Sequence, residues 1–493
     1  MAEKTTLTRG AIPFQARTVA WYDPILGLVL DERDENPIQI SRHASVIEVL
    51  KTVRARMLYI LPDENGHVPG RSWYTECVQI GCSVDKYLAK VHAATISRGP
   101  KVIDVFPIGQ YFDTVPSIED CKKSWQLMGS LLRGAFGEHA VLMGTAAATG
   151  QNLLRLALPR GQAYQALPKD IQEILFHNFG QGRIETFYRQ ACTVPTLYEI
   201  DATWMYAACS RDVPTGECIH DQENTLINEG KSPAFYRVVA MVPETWNHVG
   251  LLPAYDEEAA RRNADIKTCF PNTPGQAFES WCTNSELRLA YESGWTFTIL
   301  ERIHFPQRSS DPLRLWLERL KRLRERCDFV DEPQRTMLRQ AIRSIVLKAI
   351  GSFYRHIVVN DGYVPLAQSE QIPELAEWEA IDENTIYYRE EADLTDRQQQ
   401  MLQPHWACWI WGNARTRLAR AALALPFESI MALRTDGIWT TYDVGQDENP
   451  IWQDTGKPGS WRKKYELQNM AWPTKYGDML NIITTAKQSG RLA

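Results

Sequence analysis

The sequence lacks the patterns that place a chain in a membrane or in an oxidising compartment. The N-terminal residues MAEKTTLTRGAIPF contain no apolar run of the kind that a signal peptide carries. No stretch is long and apolar enough to span a bilayer. Ten cysteines occur without a C-x-x-C pair, and the closest two are Cys77 and Cys82. This usage favours reduced, mostly buried thiols over zinc ligands or disulfides, and we expect a cytoplasmic protein without a membrane partner.

A large excess of positive charge is also missing. The formal net charge is -6 and charged residues make up 23% of the chain, so composition gives no global basic footprint for a nucleic acid. Such a partner is not excluded, because a polyanion needs only a local basic groove. The 493 residues are enough for a large core in two or three domains, or in one elaborated domain.

Residues 1–140 have the pattern of a mixed α/β region. TVAWYDPILGLVL, ARMLYILP and KVIDVFPIGQYF are typical of strands, and VIEVLKTV is typical of a helix. From Thr145 onward the pattern becomes helical. Neither an internal repeat nor a low-complexity linker interrupts the chain.

Two helices are predicted over residues 311–354. In the second helix, Arg335, Arg339 and Arg343 recur at every fourth position and share one face, with Lys348 just beyond them. Like charges at this spacing repel one another unless an anion compensates them. A bound nucleoside triphosphate would be such an anion.

Two stretches end or turn at an aspartate. Thr196–Tyr206, TLYEIDATWMY, predicts a strand that ends in Asp201 and a turn that carries Tyr206. Ile430–Tyr442, IMALRTDGIWTTY, predicts a β-hairpin whose turn is Asp436-Gly437. Alone, the hairpin is a structural turn, but a hairpin tip is also a rigid place to hold a carboxylate over a cleft.

Gly180 and Gly182 precede Arg183. Paired glycines before an arginine favour close approach of the backbone to a phosphate or to another strand. An ordinary glycine turn is the alternative interpretation.

Over roughly residues 145–480, the order of these motifs resembles the polymerase region of family B DNA polymerases, in particular the protein-primed phage, plasmid and organellar branch. The matching stretches, in chain order, are Gly180–Glu185 with the glycine motif, Asp201–Ala207 with the first palm motif D-x-x-S-L-Y-P, Lys348–Tyr354 with the fingers motif K-x-x-x-N-S-x-Y-G, Trp411–Arg415 with an Arg-bearing helical stretch, Arg434–Gly437 with the second palm motif D-T-D-S, and Gly459–Glu466 followed by Lys475-Tyr476 with the tail that ends in K-x-Y. Each motif alone is weak, and their shared order carries the resemblance.

The resemblance implies an α+β right-hand polymerase fold with an antiparallel-sheet palm, helical fingers and a reduced thumb. A degenerate exonuclease-like α/β domain would precede them. The expected segments are the N-terminal domain in 1–140, the first part of the palm in 141–305, the fingers helices in 306–356, an insertion or surface hairpin in 357–403, the second part of the palm in 404–450 and the reduced thumb in 451–493.

The resemblance also implies roles for single residues. Asp201, Asp436 and the main-chain carbonyl of Ala202 would hold Mg²⁺ (or Mn²⁺) for phosphoryl transfer from a dNTP to a primer 3′-OH. Tyr206 would leave no room for a ribose 2′-OH. Expected nucleotide contacts come from Tyr206, Arg339, Arg343, Lys348 and Tyr354, and expected contacts to the DNA primer-template come from Gly180, Gly182, Arg183, Arg415, Lys475 and Tyr476.

The sequence departs from the family pattern in several places. Arg434 stands where D-T-D-S has its first acidic residue, and Gly351 replaces the fingers Asn. Lys348 lies one residue too close to Tyr354, so Arg343 is a second candidate for its role. The N-terminal region has Tyr22-Asp23-Pro24 and no D-x-E exonuclease motif, so we expect no 3′–5′ proofreading.

We therefore expect a template-directed DNA polymerase from a phage or mobile element, working in the cytoplasm of a bacterial or phage-infected cell. A terminal protein or processivity partner would compensate for the small thumb. Two alternatives stay open. One is a template-independent or protein-priming nucleotidyltransferase. The other is a catalytically inactive polymerase fold that binds nucleic acid, which Arg434 favours and the retention of Asp201 and Asp436 disfavours.

Overall fold

The computed structural model describes residues 6–12, 17–42, 44–63, 71–79, 82–85, 90–93, 101–113, 115–179, 182–187, 192–223, 232–255, 268–354, 358–392, 394 and 396–472. The chain divides into two compact units. Unit 1 contains Met1–Ala163 and Leu315–Leu402, and unit 2 contains Tyr164–Arg314 and Gln403–Ala493.

The elements are numbered here in chain order over both units. The strands are β1 (Thr6–Thr8), β2 (Val19–Asp23), β3 (Leu28–Asp31), β4 (Ile38–Gln39), β5 (Met57–Ile60), β6 (Cys82–Asp85), β7 (Lys90–Ala93), β8 (Lys101–Pro107), β9 (Ala163–Gln165), β10 (Ile184–Thr186), β11 (Cys192–Ala202), β12 (Ile219–Asp221), β13 (Ala234–Met241), β14 (Ala254–Tyr255), β15 (Thr268–Cys269), β16 (Ala277–Thr283), β17 (Thr296–His304), β18 (Val358–Pro365), β19 (Glu377–Ala380), β20 (Thr385–Ala392), β21 (Ile430–Arg434), β22 (Gly437–Thr440) and β23 (Trp461–Trp472). The α-helices are α1 (Val46–Thr52), α2 (Arg71–Gln79), α3 (Ile118–Phe136), α4 (Ala146–Ala157), α5 (Lys169–Asn178), α6 (Met205–Cys209), α7 (Asn284–Glu292), α8 (Arg314–Arg326), α9 (Gln334–Ser352), α10 (Asp396–Gln400) and α11 (Pro404–Leu423). Short 3₁₀ helices cover Ile108–Gln110, Cys327–Phe329, Leu366–Gln371, Phe427–Ser429, Val444–Gln446 and Pro450–Trp452.

Unit 1 is built on a mixed sheet with the strand order β19-β20-β18-β6-β7-β8-β5-β2-β3-β4. Strands β2, β5 and β8 are parallel to one another, and the remaining pairs are antiparallel. Apolar side chains of α1 and α2 pack with those of the sheet in one buried cluster. The prediction of a mixed α/β region in residues 1–140 is confirmed.

The segment predicted as an insertion or surface hairpin forms part of this sheet. Strand β18 pairs with β20 on one side and with β6 on the other, and β19 forms the outer edge. The acidic residues of the segment therefore belong to a hairpin that extends the sheet of unit 1.

The region just after residue 140 also belongs to unit 1, so the predicted start of the palm at residue 141 is too early. Helix α4 packs closely against α9. A Cβ atom at Gly150 of α4 would lie 2.6 Å from the Ile345 carbonyl oxygen of α9, so only glycine permits this approach.

Unit 2 contains a five-stranded antiparallel sheet with the order β10-β21-β22-β11-β23. Large apolar side chains such as Trp439, Tyr465 and Trp472 bury one face of this sheet. A second antiparallel sheet has the order β12-β17-β13-β16. The antiparallel sheet that the motifs implied is present.

The C-terminal segment differs from the prediction of a thumb beginning at residue 451. Residues Trp461–Trp472 form β23, which pairs with β11 along most of its length. Trp461, Tyr465, Leu467 and Trp472 of β23 are buried. This part of the predicted thumb is therefore a sheet strand, and residues 473–493 lie outside the described residues.

The structure also describes the state of the cysteines. All ten cysteines are free thiols, and seven of them are buried, as expected. Over the residues that the model describes, no helix is long and apolar enough to cross a membrane.

Candidate active site

Asp201 lies on a strand of the five-stranded sheet, and Asp436 lies in the hairpin turn that precedes the neighbouring strand β22. Asp201 is near the end of β11, where it pairs with Gly437 of β22, and its side chain is largely buried. The Ala202 N–H donates to the Asp436 carbonyl oxygen at 2.9 Å. The structure thus brings together the two aspartates that the sequence singled out.

The hairpin turn is one residue earlier than the Asp436-Gly437 dipeptide suggests. Arg434 pairs with Gly437, so the two loop residues are Thr435 and Asp436, and Thr435 has the left-handed φ of 50°. The Thr435 N–H donates to the Arg183 carbonyl oxygen at 2.7 Å. The Thr435 hydroxyl lies 2.9 Å from the Asp436 carboxylate. These bonds fix the turn and the direction of the Asp436 side chain.

Three further charged residues surround Asp201, and the sequence interpretation missed them. Lys464 of β23 places its Nζ 3.5 Å from Asp201 Oδ1 and 3.3 Å from Glu199 Oε1. Arg462 places a guanidinium nitrogen 3.6 Å from Asp201 Oδ2. Glu199 could have been found, because residues two apart on a strand face the same side and Glu199 precedes Asp201 by two.

A β-bulge explains how Lys464 reaches these carboxylates. Glu199 pairs with Tyr465 and Ile200 pairs with Lys463, so Lys464 is the extra residue between them. A bulge redirects a side chain that the regular pleat would point elsewhere. The sequence RKKY gives no sign of this break in the register.

The carboxylates and Lys464 are electrostatically coupled. Burial lowers the pKa of Lys464, but the charges of Asp201, Glu199 and Asp436 more than offset it, so the pKa lies above its ordinary value. Burial raises the pKa of Glu199, and Lys464 opposes that change. The Glu199 Oε2 atom is buried and has no hydrogen-bond partner among the described residues. The positive charge of Lys464 therefore offsets the repulsion among the carboxylates of Glu199, Asp201 and Asp436.

The donor chemistry fits a hard divalent cation held jointly with a substrate. Within the described ranges, no three His, Cys, Asp or Glu side chains are arranged as a metal-binding set. Mg²⁺, however, is commonly bound through one or two carboxylates together with substrate phosphates. Asp201, near the end of β11, and Asp436, in the turn before β22, could supply carboxylates of this kind.

Substitution of Lys464 should destabilise unit 2. We expect Lys464→Gln to lower the free energy of unfolding by about 1–3 kcal/mol, because Glu199 and Asp201 are left buried beside each other. Denaturant titration followed by circular dichroism measures the change. The matched control is Lys463→Gln on the same strand, whose pairs with Asp443 and Glu466 are more exposed and should contribute less than about 1 kcal/mol.

A double variant tests the cause. Because Glu199→Gln removes the buried charge, the Glu199→Gln/Lys464→Gln protein should regain at least half of the lost stability. Equal destabilisation of the single and double variants would contradict the assigned ion pair.

Tyr206 and Gly182 are adjacent to the hairpin turn that contains Thr435 and Asp436. Tyr206 lies on the short helix α6, directly after the strand that carries Asp201. A Cβ atom at Gly182 would lie 2.9 Å from Thr435 Cγ2 and 3.0 Å from the Tyr206 hydroxyl. Because Gly182 has no side chain, the turn can pack closely against Tyr206. This agrees with the interpretation that the paired glycines allow close approach to another strand.

Two arginines predicted to bind DNA are in the protein interior. Arg183 is 1% exposed and bonds to Glu185 and to the Gly250 carbonyl oxygen. Burial is the main influence on Arg183 and lowers its pKa. The guanidinium also lies over the Phe270 ring, 4.2 Å from its centroid. The Arg183 side chain therefore has a structural role in the protein interior. The prediction that Arg183 contacts DNA is corrected.

Arg415 is the second such arginine. Its guanidinium makes two bonds to the Glu286 carboxylate, of 2.6 Å and 3.2 Å, and both side chains are almost completely buried. Glu286 also completes a capping box with Thr283 at the start of α7. Arg415 therefore ties α11 to α7, and its prediction as a DNA contact is corrected as well.

The remaining residues that were predicted to contact a nucleotide belong to unit 1, on or just after α9. The positive charges of the cationic stripe that the sequence predicted on this helix are largely compensated by other protein groups. Arg339 forms an ion pair with Asp328, and Lys348 donates to the carbonyl oxygens of Gly109 and Gln110 at 3.0 Å and 2.9 Å. Burial lowers the pKa of Lys348. Arg343 is exposed and makes no ion pair within the described residues, and Tyr354 is half-buried.

Gly180, Lys475 and Tyr476 lie outside the described residues. In unit 1, Asp23 uses its carboxylate to accept the backbone N–H groups of Ile25 and Leu26 at 2.9 Å and 3.0 Å. That is a turn-capping role, consistent with the missing D-x-E motif.

The sequence matches no family model and no curated protein. Its fold, however, is similar to that of solved structures of phi29 DNA polymerase. A structure of that enzyme with primer-template DNA has a TM-score of 0.58 at 12% identity and covers 92% of this chain and 85% of that chain. A ternary complex with incoming nucleotide has a TM-score of 0.57 at 12% identity, covering 92% and 86%.

A third structure, of phi29 DNA polymerase in an orthorhombic crystal form, has a TM-score of 0.54 at 13% identity and covers 90% of this chain and 81% of that chain. At this identity the likeness is one of fold. The resemblance to family B DNA polymerases that the motif order suggested is confirmed at that level.

Proposed function

We propose that this protein is a template-directed DNA polymerase that adds deoxynucleotides to a primer 3′-OH and lacks proofreading. The observation that carries the proposal is the pairing of Asp201 with Gly437, which brings the end of β11 next to the turn that carries Asp436. The charges of both aspartates act on Lys464. The likeness in fold to phi29 DNA polymerase, solved with primer-template DNA and nucleotides, supports the same reading.

Asp201 and Asp436 would hold Mg²⁺ or Mn²⁺, with the Ala202 carbonyl as a further oxygen ligand. When bound, the metal lowers the pKa of the attacking hydroxyl and neutralises charge on the leaving pyrophosphate. Lys464 keeps Asp201 and Glu199 in place before the substrate arrives. Arg343, which is exposed and unpaired among the described side chains, is the leading candidate to bind the triphosphate.

One feature points to a need for partners. Residues Trp461–Trp472 of the segment expected to form a thumb are the sheet strand β23, so less chain is left to enclose DNA. A terminal protein or a processivity partner would compensate. We therefore propose short products when the enzyme acts alone.

Primer extension with Mg²⁺ and dNTPs tests the function. We expect incorporation that follows the template sequence, and no shortening of labelled single-stranded DNA. Incorporation that is the same with and without template would identify a nucleotidyltransferase. No incorporation with Mg²⁺ or Mn²⁺ on any primer would identify a nucleic-acid-binding protein, the reading that Arg434 beside Asp436 favours.

Tyr206 should control sugar selection. We expect Tyr206→Ala to raise ribonucleotide incorporation relative to deoxyribonucleotide incorporation by about 10- to 100-fold, because a steric block of one hydroxyl contributes about 1–3 kcal/mol. Single-nucleotide kinetics with dATP and ATP measure the ratio. Tyr291→Ala, at an exposed tyrosine on α7, is the control and should leave the ratio unchanged. An unaltered ratio for Tyr206→Ala would remove this role.

A further inference from the structure

Unit 1 contains a concave pocket between the C-terminal turn of α3 and one face of α8. Its volume is about 190 Å³, and its lining is Gly134, Ala135, Arg319, Arg322, Leu323 and Arg326. Three of the six lining residues are arginines and none is acidic. The pocket belongs to neither the catalytic sheet nor the stripe on α9.

The periodicity of α8 explains why these arginines meet. Positions 319, 322 and 326 are separated by three and four residues, so their side chains share one face of the helix. The adjacent face carries the buried Trp316 and Leu320 and fixes the helix rotation. Arg319 is held further by the Phe136 ring, whose centroid is 5.4 Å from the guanidinium carbon.

The charge of the pocket is not compensated by the described protein. On α9, Arg339 has Asp328 as its partner, and on α8 itself Lys321 pairs with Glu325 at 3.7 Å. Arg319, Arg322 and Arg326 make no ion pair among the residues that the structure describes. The C-terminal turn of α3 contributes only about half a negative charge, too little to balance three guanidinium groups.

We propose that this pocket binds the sugar–phosphate backbone of a nucleic-acid strand. Planar guanidinium groups suit phosphate oxygens and bind them in pairs. Arg319 and Arg326 are seven positions apart, which corresponds to about 10 Å along the helix. This distance exceeds the reach of one phosphate group and fits successive phosphates of a strand. Contacts to phosphate groups carry no sequence information, so we expect binding that is independent of sequence.

Substitution of Gly134 provides a second test of the pocket, in addition to the removal of charge. A Cβ atom there meets no other atom within 4 Å, so the glycine leaves open space beside the arginines. A longer side chain at this position enters the pocket without displacing its walls. It also improves helix propensity, so the fold is retained.

The identification of the ligand as DNA rests on the proposed function. The identification of the pocket as an anion-binding site does not, because it rests on the uncompensated charge of the arginines. The test therefore uses binding and not catalysis. Full-length protein is titrated into fluorescein-labelled oligo-dT without metal or dNTP, at several salt concentrations, and anisotropy gives the affinity.

Arg322→Gln/Arg326→Gln should weaken binding about tenfold or more, and should flatten the dependence of log K on log salt by about 1.4, or about 0.7 for each lost phosphate contact. Lys321→Gln, next in sequence but outside the pocket, should change affinity less than about twofold. Gly134→Glu should weaken binding while every arginine is present, and Gly134→Ala should not.

Several results would overturn the inference. Equal losses for Lys321→Gln and Arg322→Gln would indicate diffuse attraction, and unchanged oligo-dT affinity in the double variant would remove the site. If the double variant lost affinity for inorganic triphosphate but kept its affinity for oligo-dT, the ligand would be a free nucleotide. A wild-type protein that binds oligo-dT through the pocket but extends no primer would leave this inference standing and overturn the proposed function.

Discussion

Asp201→Asn and Asp436→Asn should each lower the rate of primer extension by at least about 1,000-fold, equivalent to about 4 kcal/mol of transition-state stabilisation. Asparagine keeps the size of the side chain but removes the charge that would hold the metal. Single-turnover incorporation of one dNTP measures the rate. The effect of either change should be nearly as large as that of both together, because the two carboxylates act on the same metals.

The folding stability of Asp201→Asn should not fall with its activity. Asp201 is buried among Glu199, Asp436 and Lys464. Burial is the main cause of the raised pKa of Glu199, and the negative charges of Asp201 and Asp436 raise this pKa further. Removing one of three neighbouring negative charges relieves repulsion, so Asp201→Asn should unfold at a denaturant concentration equal to or above that of wild type.

Asp443→Asn is the control for both measurements. Asp443 is an acidic residue just beyond β22, and it pairs with Lys463 at 3.2 Å. Its substitution should reduce incorporation less than about threefold, since a surface pair contributes little. Mn²⁺ binding in the presence of a dNTP, followed by electron paramagnetic resonance, gives a readout separate from turnover. An Asp201→Asn protein that kept a tenth of wild-type activity would rule out Asp201 as a metal ligand.

Arg415→Ala should be the most destabilising single change in unit 2. Removing one partner of a buried ion pair leaves the other uncompensated, which costs about 3–5 kcal/mol. Glu286 would lose both of its bonds from Arg415 and would keep only the capping bonds with Thr283. Chemical denaturation of the purified variant measures the loss.

The same two helices provide a matched control. Arg420 of α11 pairs with Glu292 of α7 at 2.9 Å, and both are exposed. Arg420→Ala should cost less than about 1 kcal/mol because solvent screens that pair. Arg415→Met/Glu286→Leu should recover most of the stability, since an apolar pair of similar size avoids the desolvation cost. An Arg415→Ala protein with wild-type stability and weakened DNA binding would restore the original interpretation of Arg415 as a DNA contact.

The sequence alone determined the elements that carry the two aspartates. The alternating run before Asp201 and the apolar runs around Asp436-Gly437 specify strands locally, and the order of the motifs indicated that these strands meet. Local patterns also predicted the α/β character of unit 1, because strand and helix periodicities depend on neighbours within a few residues.

The sequence could not assign the charged side chains. Arg183 and Arg415 have the same local context whether they face DNA or a buried carboxylate, and the partner of Arg415 is 129 residues away. Lys464 reaches Asp201 only because β23 bulges against β11, a feature of the pairing and not of either strand. A charge is exposed, compensated or catalytic according to what the tertiary structure places beside it, since burial and distant partners set its energy.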